Sequence, residues 1–297
     1  MEPTAAEALP PRYVTLFVAG ALSLVLLAVV LGPRAMAEQP VPALDLRAAG
    51  LSRVAPLVTP FEVRSEDGGR MITLIGAYAD PALTVVFLRV TPDAGMPNLN
   101  VTDEQGSMDS TGYSTAGAPG DYVFVLDSGP RVGPDHTAHL TADVNGLSAP
   151  PVLAEPPREF KGRWTFTFAL PVQPATALPH QSGFQLGSWM VTIEVLELTP
   201  AVVHLQALID GGGVEEVGMG LDSTVSLLDE SLKPVGIVGL GTATPISKEQ
   251  LNPTTGPPNG ARVNLLWLRP PAAATYQLRF RANGETRTIA ITLPALA

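Results

Sequence analysis

A chain of 297 residues with a formal net charge of -10, 30 Pro, 28 Gly and no Cys has room for two domains but excludes disulfides, a lipidated cysteine and thiolate zinc sites. The acidic balance repels phosphate backbones and so argues against nucleic acid as a partner. The prolines and glycines lie between apolar runs, where turns need a fixed or positive φ, and not in one collagen-like or low-complexity tract.

Residues 1–13 read as a short cytoplasmic tail. They lead into residues 14–32, an uncharged apolar run long enough to cross a bilayer as a helix. Arg12 and Arg34 flank the run one on each side, so the positive-inside rule does not orient it. Ala35-Met36-Ala37 places small residues as a signal-peptidase site does, yet the run is longer than a signal-peptide core. Length favours an uncleaved single-pass anchor; cleavage near Ala37, giving a secreted protein, is the alternative. Both put the remainder outside the cytoplasm. Residues 33–60 form a Pro-containing spacer, with a short helix near Ala43 to Arg53 as one option.

Beyond the spacer, strict alternation marks strands. Trp164, Phe166, Phe168 and Leu170 alternate with Thr165, Thr167 and Ala169. Tyr276, Leu278 and Phe280 alternate with Gln277, Arg279 and Arg281, and Val203, Leu205, Ala207 and Ile209 with Val202, His204, Gln206 and Leu208. Further strands are predicted at 71–78, 84–90, 99–102, 122–126, 138–144, 190–198, 224–228, 262–268 and 286–293. Asp67-Gly68-Gly69, Asn145-Gly146 and Asn283-Gly284 are predicted hairpin turns.

The order of landmarks repeats. Met71-Ile72-Thr73 matches Met190-Val191-Thr192, and the turn Asp80-Pro81 matches Thr199-Pro200. The run from Asn100 to Glu104 matches that from Ser226 to Glu230, Leu140 to Gly146 matches Leu278 to Gly284, and Thr167 to Pro171 matches Ala290 to Pro294. The wider spacing after the first Asn-Gly makes the Pro-rich stretch from Ser148 an insertion within the first copy. The predicted architecture is all-β: two tandem immunoglobulin-like antiparallel β-sandwiches, at 61–171 and 184–297, joined by a linker at 172–183, behind one N-terminal transmembrane helix. One long barrel-like domain is the structural alternative.

The region from about residue 57 to 295 resembles the exported halves of bacterial membrane-bound anti-sigma-factor-like proteins, where a domain of unknown function precedes an immunoglobulin-like partner. The resemblance rests on Gly69 to Leu74, Asp80-Pro81, Val101 to Gly106, and Gly162 to Pro171, which reads Gly-x-Trp-x-Phe-x-Phe-x-Leu-Pro. It implies an envelope-located sensing or regulatory role. Such regulators usually hold a sigma factor with a cytoplasmic domain; residues 1–13 are too few for one, and no functional residues are carried over.

Chemistry-bearing clusters are sparse. His136 and His139 beside Asp135 would share a helical face, but at a strand start they point to opposite sides. His180 and His204 are distant in sequence. Asp103, Glu104 and Asp109, with Gly106 and Ser107, offer oxygen ligands for calcium but lack EF-hand spacing, and Asp229-Glu230 repeats the pair in the second copy. The glycines at 211–213, Gly239 and Gly241 lack the Lys-Ser/Thr and helix of a phosphate loop. Ser114, in Gly112 to Ala116, misses a nucleophile elbow. Asn100-Val101-Thr102 is a sequon inside a predicted strand. Trp164, Trp189 and Trp267 are expected in cores. No catalytic, cofactor-binding or metal-ligating set is assigned.

The expected function is that of a membrane-tethered extracytoplasmic binding or regulatory protein, without catalysis and without a cofactor, acting on a protein or envelope-polymer partner. A structural or adhesive spacer is the first alternative, and an envelope hydrolase the second.

Overall fold

The computed structural model describes residues 51–108, 113–116, 119–132, 134–149, 159–211, 224–238, 242–246, 260–271, 273–282 and 284–294, all within one compact unit of the chain. The apolar run at 14–32 and the cleavage motif at 35–37 lie outside them. Among the described residues no helix is long and apolar enough to cross a membrane.

The first sandwich runs through β1 (Thr59–Asp67), β2 (Arg70–Ala79), β3 (Thr84–Thr91), β4 (Met96–Asp103), β5 (Gly106–Ser107), β6 (Tyr113–Ala116), β7 (Asp121–Leu126), β8 (Thr137–Ser148), β9 (Glu159–Phe160) and β10 (Trp164–Pro171). One sheet has the order β1-β2-β3-β7-β6 and the other β10-β8-β4-β5, with β9 on β8. The second sandwich comprises β11 (Thr176–Ala177), β12 (Gly183–Leu186), β13 (Trp189–Leu198), β14 (Val202–Asp210), β15 (Val225–Leu228), β16 (Thr242–Ile246), β17 (Gly260–Leu268), β18 (Ala274–Ala282) and β19 (Glu285–Leu293). Its sheets are β11-β13-β14-β17-β16, with β12 also on β13, and β15-β18-β19.

Both orders are those of an immunoglobulin sandwich. The series β2-β3-β7-β6 and β13-β14-β17-β16 are A-B-E-D sheets, and β10-β8-β4 and β19-β18-β15 are G-F-C sheets. The sequence landmarks fall on equivalent strands: β2 with β13, β4 with β15, β8 with β18, and β10 with β19. Alternation works as expected where one face is wet. In β10 Trp164, Phe166, Phe168 and Leu170 are buried and the residues between them exposed.

In the second Asn-Gly pair Asn283 lies outside the described residues; β18 and β19 are antiparallel neighbours with Ala282 opposite Glu285, and Gly284 has a φ of +80°. Asn145-Gly146 does not turn the chain. β8 continues to Ser148, and the register with β4 slips between Pro97 and Leu99, opposite this pair. Gly146, at φ +109°, is the point where the strand bulges. The expected hairpin there is corrected to a bulge, because β8 goes on to pair with β9 and the N-terminal end of β4.

Each sandwich has its own core. Trp164, Phe166 and Leu140 centre the first, and Trp189, Trp267 and Phe280 the second. A third core joins the sandwiches. Val85, Phe87, Val123 and Val125, on the outer face of the first A-B-E-D sheet, pack with Val202 and Leu266 on the outer face of the second. Leu51 and Val54, at the start of a 3-10 turn over Ser52–Leu57, complete it. Residues 51–57, read from sequence as spacer, are thus built into the fold. The linker at 172–183 is likewise engaged: β11 pairs with β13, Leu178 joins the second core, and the Gln173 N–H donates to the Ala79 carbonyl.

The third core explains why β2 is buried on both faces from Ile72 to Ala79. A register shift between Leu74 and Gly76 turns Ile75 and Tyr78 toward the other sandwich while Ala77 and Ala79 stay inside. Gly76 allows a close approach here, since an added Cβ would lie 2.9 Å from Val58 Cγ1 and one of the two would have to shift.

Candidate functional site

The site is built on two equivalent turns. In the first, Asp80 Oδ1 accepts the N–H groups of Ala82 (2.9 Å) and Leu83 (2.8 Å). In the second, Thr199 Oγ1 accepts those of Ala201 (3.2 Å) and Val202 (3.0 Å). Asp and Thr are interchangeable there because each offers a short side-chain oxygen to the same pair of donors.

The two turns meet in the third core. Tyr78 donates its hydroxyl to Asp80 Oδ2 at 2.7 Å, and Thr199, close enough to act on both groups, donates its own hydroxyl to the Val202 carbonyl at 3.3 Å. Tyr78, Asp80 and Thr199 are fully buried. Burial pushes the Asp80 carboxyl above its usual range, against hydrogen bonds from Tyr78, Thr199 and the Ala82 and Leu83 N–H groups that pull it down. Burial, followed by the charge and hydrogen bond of Asp80, raises Tyr78 as well.

The chain leaving the E strand braces each turn. Gly129 lies so close to the first that an added Cβ would sit 2.3 Å from the carbonyl oxygens of Asp80 and Pro81. In the second copy Arg269 follows β17. Its N–H donates to the Ala201 carbonyl at 2.9 Å, and its Nη1 donates to the Thr199 carbonyl at 3.0 Å. Arg53, from the 3-10 turn, donates through Nη1 to the Arg269 carbonyl at 3.0 Å. Burial, and then the charge of Arg53, lower the Arg269 guanidinium from its usual value.

These groups border an open cavity of about 470 Å³ at the edge of the interface between sandwiches. Leu51, Val54, Val235 and Leu268 supply apolar wall, and Arg53, Arg269, Asp229 and Tyr276 supply polar atoms. Tyr276 is buried; burial, then the charges of Asp229 and Glu230, raise its hydroxyl, and Arg53 opposes them. Asp229 Oδ1 accepts the N–H groups of Ser231 (2.9 Å) and Lys233 (2.8 Å). The arrangement can hold an anion by charge and hydrogen bonds, with an apolar body against the walls.

The clusters singled out from sequence are placed elsewhere. Asp103 faces Arg131, which donates through Nε (2.9 Å), Nη2 (3.1 Å) and its backbone N–H (3.1 Å). Glu104 is exposed, and Asp109 lies outside the described residues. His136 has a positive φ of 55° just before β8, and His139 is exposed within β8. His180 Nδ1 lies 2.8 Å from the Leu178 carbonyl oxygen. His204 bridges Glu197 Oε1 and Asn264 Oδ1, each at 2.8 Å, and Asn264 donates to the Asp127 carbonyl of the other sandwich. Among the described residues no group of three or more His, Asp or Glu is placed to hold a metal. Asn100 is exposed in β4, Ser114 lies in β6, and Gly211 follows β14; residues 212–213 and 239–241 are outside the described set. Trp164, Trp189 and Trp267 are buried in the cores.

Sequence reasoning missed Arg53 and Arg269, which lie 216 positions apart. The one local signal was Arg269 followed by Pro270-Pro271, a cation at a stiff exit from a strand.

No family model matches the chain, and no curated protein matches it in sequence. A conserved domain protein from Bacillus anthracis, known as a crystal structure, is similar at a TM-score of 0.52 and 11% identity, covering 83% of this chain and 95% of that one. A tandem pair of titin Ig domains aligns over 74% of this chain and 90% of its own at 7% identity and a TM-score of 0.19. Bovine butyrophilin aligns over 74% of this chain and 95% of its own at 7% identity and a TM-score of 0.22. The likeness to the Bacillus anthracis protein bears on the fold alone, and its coverage is wider than either sandwich.

Proposed function

We propose that this protein is a membrane-tethered extracytoplasmic binding module with an envelope-sensing or regulatory role, acting without covalent chemistry. The observation that carries the reading is the cavity beside Arg53 and Arg269. It is a concave, partly apolar site on a rigid frame, bordered by guanidinium, carboxylate and phenol groups. Such groups bind and orient; they do not form a nucleophile hydrogen-bonded to a base. The apolar run at 14–32 supports the tether, and the resemblance to exported halves of anti-sigma-factor-like proteins supports the envelope role.

The test is affinity capture of the full chain from native membranes, with mass spectrometry of its N-terminus and of co-purifying proteins. An N-terminus at Met1 and a specific envelope partner are expected. An N-terminus at Glu38 with the protein in the soluble fraction would replace the tether by secretion, and catalytic turnover of an envelope polymer would overturn the binding role.

A further inference from the structure

We propose that the cavity beside Arg53 and Arg269 binds a small organic monocarboxylate, its carboxylate on the two arginines and its apolar or aromatic body against Leu51, Val235, Leu268 and Tyr276. The inference rests on the reading of this protein as a binding module and names its ligand class.

The chain has 18 Lys and Arg against 28 Asp and Glu, yet it brings two guanidinium groups from distant segments to one cavity wall. Arg53 uses an Nη1 hydrogen on the Arg269 carbonyl, and a guanidinium has five such donors. Each side chain is oriented by a backbone carbonyl, Arg269 by that of Thr199 and Arg53 by that of Arg269. Planar guanidinium donors match the planar carboxylate.

The rest of the wall sets the charge and size of the ligand. Asp229 lines the cavity and Glu230 is close enough to act on Tyr276, which disfavours a dianion such as phosphate. About 470 Å³ lies within the range of about 300–1,000 Å³ usual for small-molecule sites. The equivalent position in the first sandwich carries Ser128, not arginine, and the adjacent Gly129 fills that space with backbone. The second copy alone therefore opens a charged site on the shared frame.

Equilibrium dialysis of the full chain in detergent with radiolabelled phenylacetate tests this. Saturable binding of one equivalent is expected, displaced by unlabelled phenylacetate but not by phenylacetamide or inorganic phosphate. Arg53 is exposed, so Arg53→Gln is expected to keep the wild-type melting temperature while weakening binding about tenfold, as loss of one charge-assisted contact does. No saturable binding, equal displacement by the amide, displacement by phosphate, or undiminished affinity in R53Q would each overturn the proposal. Phenylacetate binding by a protein that captures no envelope partner would retain the pocket while removing the sensing role; a captured partner without phenylacetate binding would do the reverse.

Discussion

Asp80 and Thr199 occupy the same position in the two sandwiches and meet across the interface between them. Each caps its own turn by accepting the N–H groups two and three residues on, and Thr199 lies close enough to the Asp80 carboxylate to act on it. The same turn, present in both sandwiches, thus lies on both sides of the contact between them. The acid stands in one copy only, so no second carboxylate faces Asp80 across the contact.

Removing the Asp80 carboxylate leaves the Tyr78 hydroxyl and the Ala82 N–H without this acceptor, and the Leu83 N–H with only its 3.4 Å bond to the Asp80 backbone carbonyl. Asp80→Ala is expected to cost about 3 kcal/mol, read by urea denaturation. The pH dependence has a defined sign. The folded-state value is raised above the unfolded one, so the folded protein binds the proton more tightly, and stability falls as pH rises from the ordinary carboxylate value through the raised one. Asp80→Asn has no proton to lose and should flatten that fall. Parallel stability–pH curves for wild type and D80N would remove Asp80 as its source.

Asp103 works in the opposite direction. Burial acts to raise its carboxyl, but the Arg131 side chain and backbone and the Gln105 N–H outweigh burial and hold it below the ordinary range. Its contribution is present above the unfolded carboxylate value and is lost as pH falls through the lowered folded one. Asp103→Asn is expected to cost about 1 kcal/mol at neutral pH, since Arg131 is half exposed and solvent screens the pair. The difference between wild type and D103N should shrink in acid; a constant difference would assign the cost to packing instead.

Gly162 lies under the indole of Trp164, and an added Cβ would sit 2.3 Å from Trp164 Cη2. This is the physical content of the Gly-x-Trp pattern. Gly162→Ala should destabilise the protein by about 2 kcal/mol through overpacking, with a change in near-ultraviolet circular dichroism from the displaced ring. Unchanged stability would mean that the chain at 162 moves aside freely.

The shared core predicts that both sandwiches unfold together. Phe87 is fully buried against the second sandwich, and Phe87→Ala should cost about 3 kcal/mol. In calorimetry the wild type should show one transition. F87A should lower it or split it in two, and two well-separated wild-type transitions would contradict the coupling.

The sequence by itself determined the all-β class, most of the long strands and the repeated order of landmarks along them. These signals are local: period-two alternation follows from the pleat of a half-buried strand, and turn residues follow from the φ values that a turn requires. The short strands β5, β9 and β11 carry too few residues for a period and were not legible. Tertiary structure alone decided that Asn145-Gly146 is a bulge and not a hairpin, because β8 continues past it to pair with β9 and the N-terminal end of β4. It also decided that the outer faces of β2, β3 and β14 are covered. Apolar residues on both faces of a strand say that both are buried, not by what. The candidate site lay furthest from view: Arg53 and Arg269 adjoin only because the 3-10 turn plugs the interface between the sandwiches, and no sequence spacing encodes a contact made by the packing of two sheets.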